Sequence, residues 1–252
     1  MPKLAVLILT KNEEKNIAEC IQSAAFADEI LVIDSGSTDR TRDLVEATDG
    51  RFILHPMGAD GFAGQRNYAL TQTEADWVFY LDADERITAD AVAEIQAIVQ
   101  QDTLSVWRVK RMNIVFGQMM RYGEHGPDFV TRLFQRENVH WEGVVHERPV
   151  MKKQAEVHTL HGVLHHYTYN DWDRYFDKFN QYTTLMAIKM QEKGKNGSFV
   201  DILLHPIFAF IRFYILKRGF LDGKQGFIFA VTHYFYTMIK YVKLYYMQKE
   251  TR

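Results

Sequence analysis

Hydrophobic and polar positions along the first hundred residues switch repeatedly between two periods. Leu4-Ala-Val-Leu-Ile-Leu9 is a short continuous apolar run, the pattern of a strand covered on both faces. Asn12 to Ala25 carries Ile17, Cys20, Ile21 and Ala24 at helical spacing, which predicts a helix with Asn12 as its N-cap. Glu29 to Ile33 and Arg51 to Leu54 predict strands, with helices expected over Thr41 to Ala47 and Phe62 to Gln72. Trp77-Val-Phe-Tyr-Leu81 predicts a fourth strand. Ala89 to Gln101 predicts a helix with Ala91, Val92, Ile95, Ile98 and Val99 on one face. This alternation argues for an α/β fold, a mostly parallel sheet flanked by helices. Val106 to Val109, Val130 to Phe134 and Val163 to Tyr167 read as further strands between Gly-rich and charged loops. Trp172 to Tyr246 is mostly helical and increasingly apolar.

Composition narrows the class. A chain of 252 residues, 47% hydrophobic, suits one full domain with a smaller appendage. Lys+Arg is 30 against Asp+Glu 32, so the basic excess of a nucleic-acid binder is missing. The single cysteine, Cys20, makes neither an internal disulfide nor a multi-cysteine metal site, and suits a reducing compartment. The opening run lacks the basic region and cleavage site of a signal peptide, so the expected location is cytoplasmic. No internal repeat and no low-complexity linker interrupts the chain.

Ligands of such sheets bind beyond the carboxyl ends of the strands. Three polar clusters fall there: Thr10 to Glu13, Asp34 to Asp39, and Asp82 to Glu85. Asp82 and Asp84 flank one small residue, so they can share a hard cation, one directly and one through water or a ribose hydroxyl. An isolated Asp-x-Asp is more often a solvated acidic turn; its position after a buried strand, beside two other polar strand ends, favours the functional reading. Asp34 and Asp39 can accept hydrogen bonds from a base or ribose, and the small residues between them, Ser37 included, let a ligand approach the backbone. The structural alternative is a turn in which Thr38 or Asp39 caps the next helix. Neither Gly-x-Gly-x-x-Gly nor a Walker sequence is present.

Leu9-Thr-Lys-Asn-Glu13, Val32-Ile-Asp-Ser-Gly-Ser-Thr-Asp39, Gly64-Gln-Arg-Asn67 and Leu81-Asp-Ala-Asp-Glu85 together resemble the family 2 glycosyltransferases of GT-A fold. The resemblance covers roughly the first 100 residues. It implies an inverting transfer from a UDP-sugar with Mg²⁺ or Mn²⁺ as cofactor. It implies that Thr10 and Glu13 lie near the nucleotide, Asp34 and its loop neighbour Ser37 on the uridine side, and Arg66 near the diphosphate. Asp84 would ligate the metal with Asp82 beside it. Residues 1–170 are then the catalytic domain, with a donor-binding half over 1–100 and an acceptor half over 101–170. Residues 171–252 are a helical, aromatic-rich extension.

Inversion needs one general base for the acceptor hydroxyl. The second half offers Glu124, Asp128, Glu142 and Glu147. Trp141-Glu-Gly143 followed by Val145-His-Glu147 resembles the subgroup that glucosylates the inner-core heptose of lipopolysaccharide, and Glu147 is the first choice, Glu124 the second. The competing role for Glu147 is an ion pair, with Arg148 or a neighbouring helix. His146 can donate to phosphate or ligate a metal, and His161, His165 and His166 can add a ligand, though not in a zinc spacing. The Gln-x-x-Arg-Trp sequence of processive synthases is missing, which favours single-sugar addition.

Phe199 to Leu216 is very apolar but interrupted by Asp201, His205, Pro206 and Arg212. That suits a helix lying in a membrane interface better than one spanning it. Lys217 and Arg218 follow, and Phe227 to Met247 mixes Phe, Tyr and Ile with Lys240 and Lys243, and finally Lys249, a combination of Tyr and Lys that suits headgroup level. The expected partners are a UDP-sugar, a lipid-linked saccharide acceptor (the lipopolysaccharide core), the cytoplasmic face of the inner membrane as a peripheral site, and a second copy of the chain. The rival readings are transfer to polyprenyl phosphate or a protein, and a non-catalytic membrane-surface binding module.

Overall fold

The computed structural model describes residues 1–143 and 147–250. They form two compact units. One comprises Met1–Arg111 with Asp128–His166; the other comprises Met112–Pro127 with the chain from Tyr167 onward. The second unit thus includes a segment, Met112–Pro127, from the stretch that the sequence assigns to the acceptor half.

The first unit is built on β1 (Leu4–Thr10), β2 (Glu29–Asp34), β3 (Arg51–Leu54) and β4 (Trp77–Asp82), parallel in the order β3-β2-β1-β4. The sheet continues through β8 (Asp128–Gln135) and β6 (Val106–Val115) to β11 (Val157–Tyr169) and β5 (Glu85–Ile87). Pairing is antiparallel at β4–β8, β8–β6 and β11–β5. The expected mostly parallel sheet is therefore parallel over its first half only. A short β7 (Gln118–Met119) pairs with the end of β6, and β9 (Val139–Glu142) with β10 (Arg148–Met151) forms a separate hairpin.

Side-chain alternation along the strands sorts the helices. Val6, Ile8, Val32, Phe79 and Leu81 pack against α1 (Ile17–Ser23), α2 (Thr41–Glu46) and α4 (Ala89–Gln101). Leu7, Leu9, Ile33, Val78 and Tyr80 point the other way, toward α3 (Gly61–Thr71) and Trp141 of β9. Both faces are covered, which is why these strands read as unbroken apolar runs. Gly162 in β11 packs against Ala91 at the start of α4, where an added Cβ would lie 2.4 Å from the Ala91 Cα.

The helix expected over Asn12 to Ala25 is shorter. Asn12 adopts a left-handed conformation (φ 55°) and caps no helix. Its side-chain oxygen instead accepts from the Thr38 N–H at 2.8 Å, while its own N–H donates to Ser37 Oγ at 2.7 Å. A short polar side chain that bonds locally is what makes this backbone state accessible.

The second unit carries α5 (Trp172–Glu192), α6 (Phe199–Phe210) and α7 (Gly223–Glu250). Ser198 and Asp201 form a reciprocal capping box that starts α6. The helix continues as a π-helical turn over Ile211–Leu216. Phe199–Leu216 is, among the described residues, one helix long and apolar enough to cross a membrane. Its Phe199, Leu204 and Phe208 are more than half exposed. A tight turn follows, in which a Cβ on Gly226 would fall 1.8 Å from the Gly219 carbonyl oxygen, so the approach requires glycine at position 226. Asp222 accepts from the backbone N–H groups of Arg121 and Tyr122 and thereby ties this turn to the 112–127 segment.

Candidate functional site

Register places the polar clusters side by side. Thr10 of β1 pairs with Asp34 of β2, and Leu9 pairs with Asp82 of β4, so all three clusters emerge at the same sheet edge. They border a cleft of about 320 Å³ whose lining includes Thr10, Glu13, Ser35, Arg66, Asp84 and Glu147. The antiparallel pairing of β5 with β11 sets His166 opposite Glu85, which brings its imidazole to the same cleft.

Two loops forming one wall hold each other through hydrogen bonds. Besides the Asn12 bonds, Glu13 N–H donates to Thr41 Oγ1 and Glu14 N–H donates to Asp39. Asp39 also accepts from the Thr41 N–H and hydroxyl; burial works against its ionisation, but these bonds outweigh it and lower its carboxyl from the ordinary value. Asp34 is almost fully buried, and its carboxylate accepts from the N–H groups of Gly36 and Ser37 and from the Ser37 hydroxyl. Asp34 and Ser37 therefore organise the loop, and it is Ser35 that lines the cleft. Thr10 Oγ1 is buried and has no hydrogen-bond partner among the described residues, an unusual state for a hydroxyl at a cleft wall.

The floor is an ion network that the sequence only partly discloses. Asp82 takes Arg66 Nη2 on one oxygen at 3.1 Å and Arg132 Nη2 on the other at 2.6 Å. Arg132, 4% exposed, also bonds the fully buried Glu85 at 2.7 Å, and Arg111 joins Glu85 at 3.2 Å and Asp128 at 2.7 Å. Burial opposes ionisation of Asp82, but Arg132, Arg66 and Arg111 override it and hold the carboxyl well below the usual carboxylate range. Each Asp82 oxygen thus carries one guanidinium group, which steadies the carboxylate where it lines the cleft beside Asp84. Arg66 is itself buried, with its charge over the rings of Trp141 (4.7 Å) and Tyr80 (5.4 Å). Its Nη2 points to Asp82 and, at 3.7 Å, to Glu147. Arg86, also unforeseen, fixes the β4–β5 turn by donating to the carbonyls of Ala83 and Glu85.

Asp84 lies beyond this clamp. Its Oδ2 is 3.4 Å from His166 Nε2. The pair offers a hard carboxylate oxygen of the kind Mn²⁺ and Mg²⁺ prefer, and an imidazole nitrogen that Mn²⁺ accepts more readily than Mg²⁺, with phosphate oxygens and water to complete the shell. Among the described residues no three His, Cys, Asp or Glu side chains are grouped to hold a metal by themselves.

The four candidate bases separate. Glu147 lines the cleft and pairs with Arg66. Glu124 lies in the second unit, bonded to His233 at 2.6 Å, and lines a different cavity. Asp128 is held by Arg111, and Glu142 sits exposed at the end of β9 with His140. His146, with Val145, lies outside the described residues, and neither His161 nor His165 lines the cleft.

Comparison with known proteins identifies the family. The family model for glycosyl transferase family 2 matches residues 5–168. Over 97% of its length the chain is 33% identical to the lipopolysaccharide core biosynthesis glycosyltransferase LpsC of Rhizobium meliloti, covering 93% of that protein. It is 26% identical to an uncharacterized glycosyltransferase of Rickettsia prowazekii, covering 97% of this chain and 87% of the relative. Among solved structures, S. aureus TarS 1-349 in complex with UDP-GlcNAc aligns with a TM-score of 0.48 at 15% identity, over 99% of this chain and 92% of that one. With the matched region running from β1 to the end of β11 and holding every residue of the cleft, the chain belongs to glycosyl transferase family 2 and has its GT-A fold.

Proposed function

We propose that the protein is an inverting glycosyltransferase that moves a sugar, glucose in the first instance, from a UDP-sugar to a heptose of the lipopolysaccharide inner core. The observation that carries this reading is the meeting in one cleft of Thr10, Glu13, Asp84, His166 and Glu147. The likeness to LpsC over nearly the whole chain supports the acceptor class.

In this reading the loops at Thr10–Glu13 and Asp34–Asp39 bind the nucleoside, and their mutual hydrogen bonds keep that wall preformed. Asp84 and His166 would hold a divalent cation, which when bound neutralises the leaving diphosphate. Arg66 and Arg132 clamp Asp82 and so set the position of the turn that carries Asp84. Glu147 takes the proton of the acceptor hydroxyl, and Arg66 positions its carboxylate at the cleft wall. Residues 1–170 carry this chemistry. The helices beyond them attach the enzyme peripherally to the cytoplasmic face of the inner membrane, with the exposed Phe199–Leu216 surface in the interface and Arg212, Lys217 and Arg218 at headgroup level. Packing of a second copy on that surface is the competing outcome, and sizing the protein in detergent-free buffer distinguishes the two.

The test is a donor screen that measures UDP release by the purified protein with lipopolysaccharide-core acceptor, with and without EDTA. Release with UDP-glucose, dependent on a heptose-terminated core and abolished by EDTA, is expected. Release that ignores EDTA removes the metal role of Asp84 and His166. Full activity of Glu147→Gln points to an acceptor already ionised, such as polyprenyl phosphate.

A further inference from the structure

The second unit holds a cavity of its own, about 260 Å³. Tyr175, Phe179 and Tyr182 line it from one face of α5, at helical spacing, and His233 and Tyr236 line it from α7. Glu124 is its acid. His233 Nδ1 engages Glu124 Oε1 at 2.6 Å, whereas Oε2 is buried without a hydrogen-bond partner among the described residues. Folding alone does not account for this. Space left among rings forfeits dispersion contacts, and a shielded carboxylate oxygen without a donor is among the more costly states of a polar group.

The lining specifies a ligand. The vacant carboxylate oxygen only accepts, so the ligand must donate. The remaining walls are flat aromatic faces, so the ligand must also present an apolar face. A volume below the ~300–1,000 Å³ of drug-sized sites fits one ring and no longer chain. A cation would meet the first two demands, but the Lys178 ammonium already stands over the Tyr169 ring of this cavity at 5.7 Å and would repel a second charge. A neutral ring with hydroxyls on its rim and C–H bonds on its face has no such conflict.

We propose that this cavity is a saccharide subsite that takes one pyranose ring, stacked on the α5 and α7 aromatics with a hydroxyl donating to Glu124 Oε2. The choice of a sugar among hydroxyl-bearing rings rests on the proposed sugar-transfer function; the geometry of the cavity does not.

Saturation-transfer NMR on the full chain tests it. The probes are methyl glucopyranoside and a methyl heptopyranoside, with choline as the cationic comparison and UDP plus Mn²⁺ reporting on the cleft of the first unit. The expected result is glycoside binding that falls at least tenfold in both Glu124→Gln and Tyr182→Ala while UDP binding is unchanged; near-UV circular dichroism verifies that the aromatic packing of the second unit survives each change. Glycoside signals missing from the wild type, or persisting in either variant, overturn the subsite. So does choline binding in preference to glycosides and lost with Glu124→Gln. A wild type that binds glycosides in this Glu124-dependent way but not UDP strikes the donor reading and leaves the subsite standing.

Discussion

Replacing Arg132 with Met isolates the ion network from the chemistry above it. The guanidinium joins Asp82 at 2.6 Å and the fully buried Glu85 at 2.7 Å, and is itself 4% exposed. Breaking a buried pair by deleting one partner costs about 3–5 kcal/mol, because the other charge stays buried. Here each acid keeps a second arginine, Arg66 at 3.1 Å for Asp82 and Arg111 at 3.2 Å for Glu85, so the loss should lie at the lower end, about 3 kcal/mol. At ~2–4 °C per kcal/mol for a unit of this size, the melting temperature falls by roughly 6–12 °C. The loss also depends on pH. The folded Asp82 carboxyl is depressed, so its contribution is complete above the unfolded value of ~3.9 and disappears as pH falls through the lower folded value. The gap between wild type and Arg132→Met is therefore complete at neutral pH and narrows only as pH falls toward the depressed folded value. Urea unfolding followed by tryptophan fluorescence at pH 7 and pH 3.5 measures both. Adding Glu85→Gln to Arg132→Met should cost less than the sum of the single changes, since the stranded charge is then removed. A loss under ~1 kcal/mol at pH 7 refutes the network as a source of stability.

Three other outcomes follow from the same geometry. Gly162→Ala forces a methyl group onto the Ala91 backbone and should destabilise the first unit by roughly 1–3 kcal/mol, read as a lower urea midpoint at constant slope. Glu147→Gln should lower kcat by ~10²–10⁴-fold with the donor KM little changed; a loss confined to KM argues for a binding role instead. Charge reversal in Lys217→Glu/Arg218→Glu should cut co-sedimentation with anionic vesicles by at least ~tenfold at low salt, given ~1 kcal/mol per basic residue, while zwitterionic vesicles show no difference.

The elements of the first unit were largely legible in the sequence because burial on both faces leaves unbroken apolar runs. The strand at Arg51–Leu54 and the helix at Ala89–Gln101 have the bounds that their patterns predict. Failures came where a side chain's partner is remote. Asn12 has the composition of an N-cap, but its partner is Thr38 across a second loop. Arg132 sits inside a run that reads only as a strand, and the acids that justify its burial lie 47 and 50 residues away. A still longer separation hid the Asp84–His166 pair, which depends on the register of β5 against β11. The triplet itself sets Asp84 apart from Asp82 only by resemblance, and the two arginines that hold Asp82 are what its local sequence does not show.

The bonds from Asp222 to the 121–122 backbone have a consequence for biosynthesis. They join groups about a hundred positions apart, and the chain between them returns to the first unit before the second is finished. On the ribosome, Met112–Pro127 must therefore wait for the last helices, with its edge open to the wrong partners. A truncation ahead of Trp172 would leave that segment permanently without its mate. The helical region is thus a poor candidate for transplantation as an independent module, because a tail of about a third of the chain cannot bring its upstream piece along.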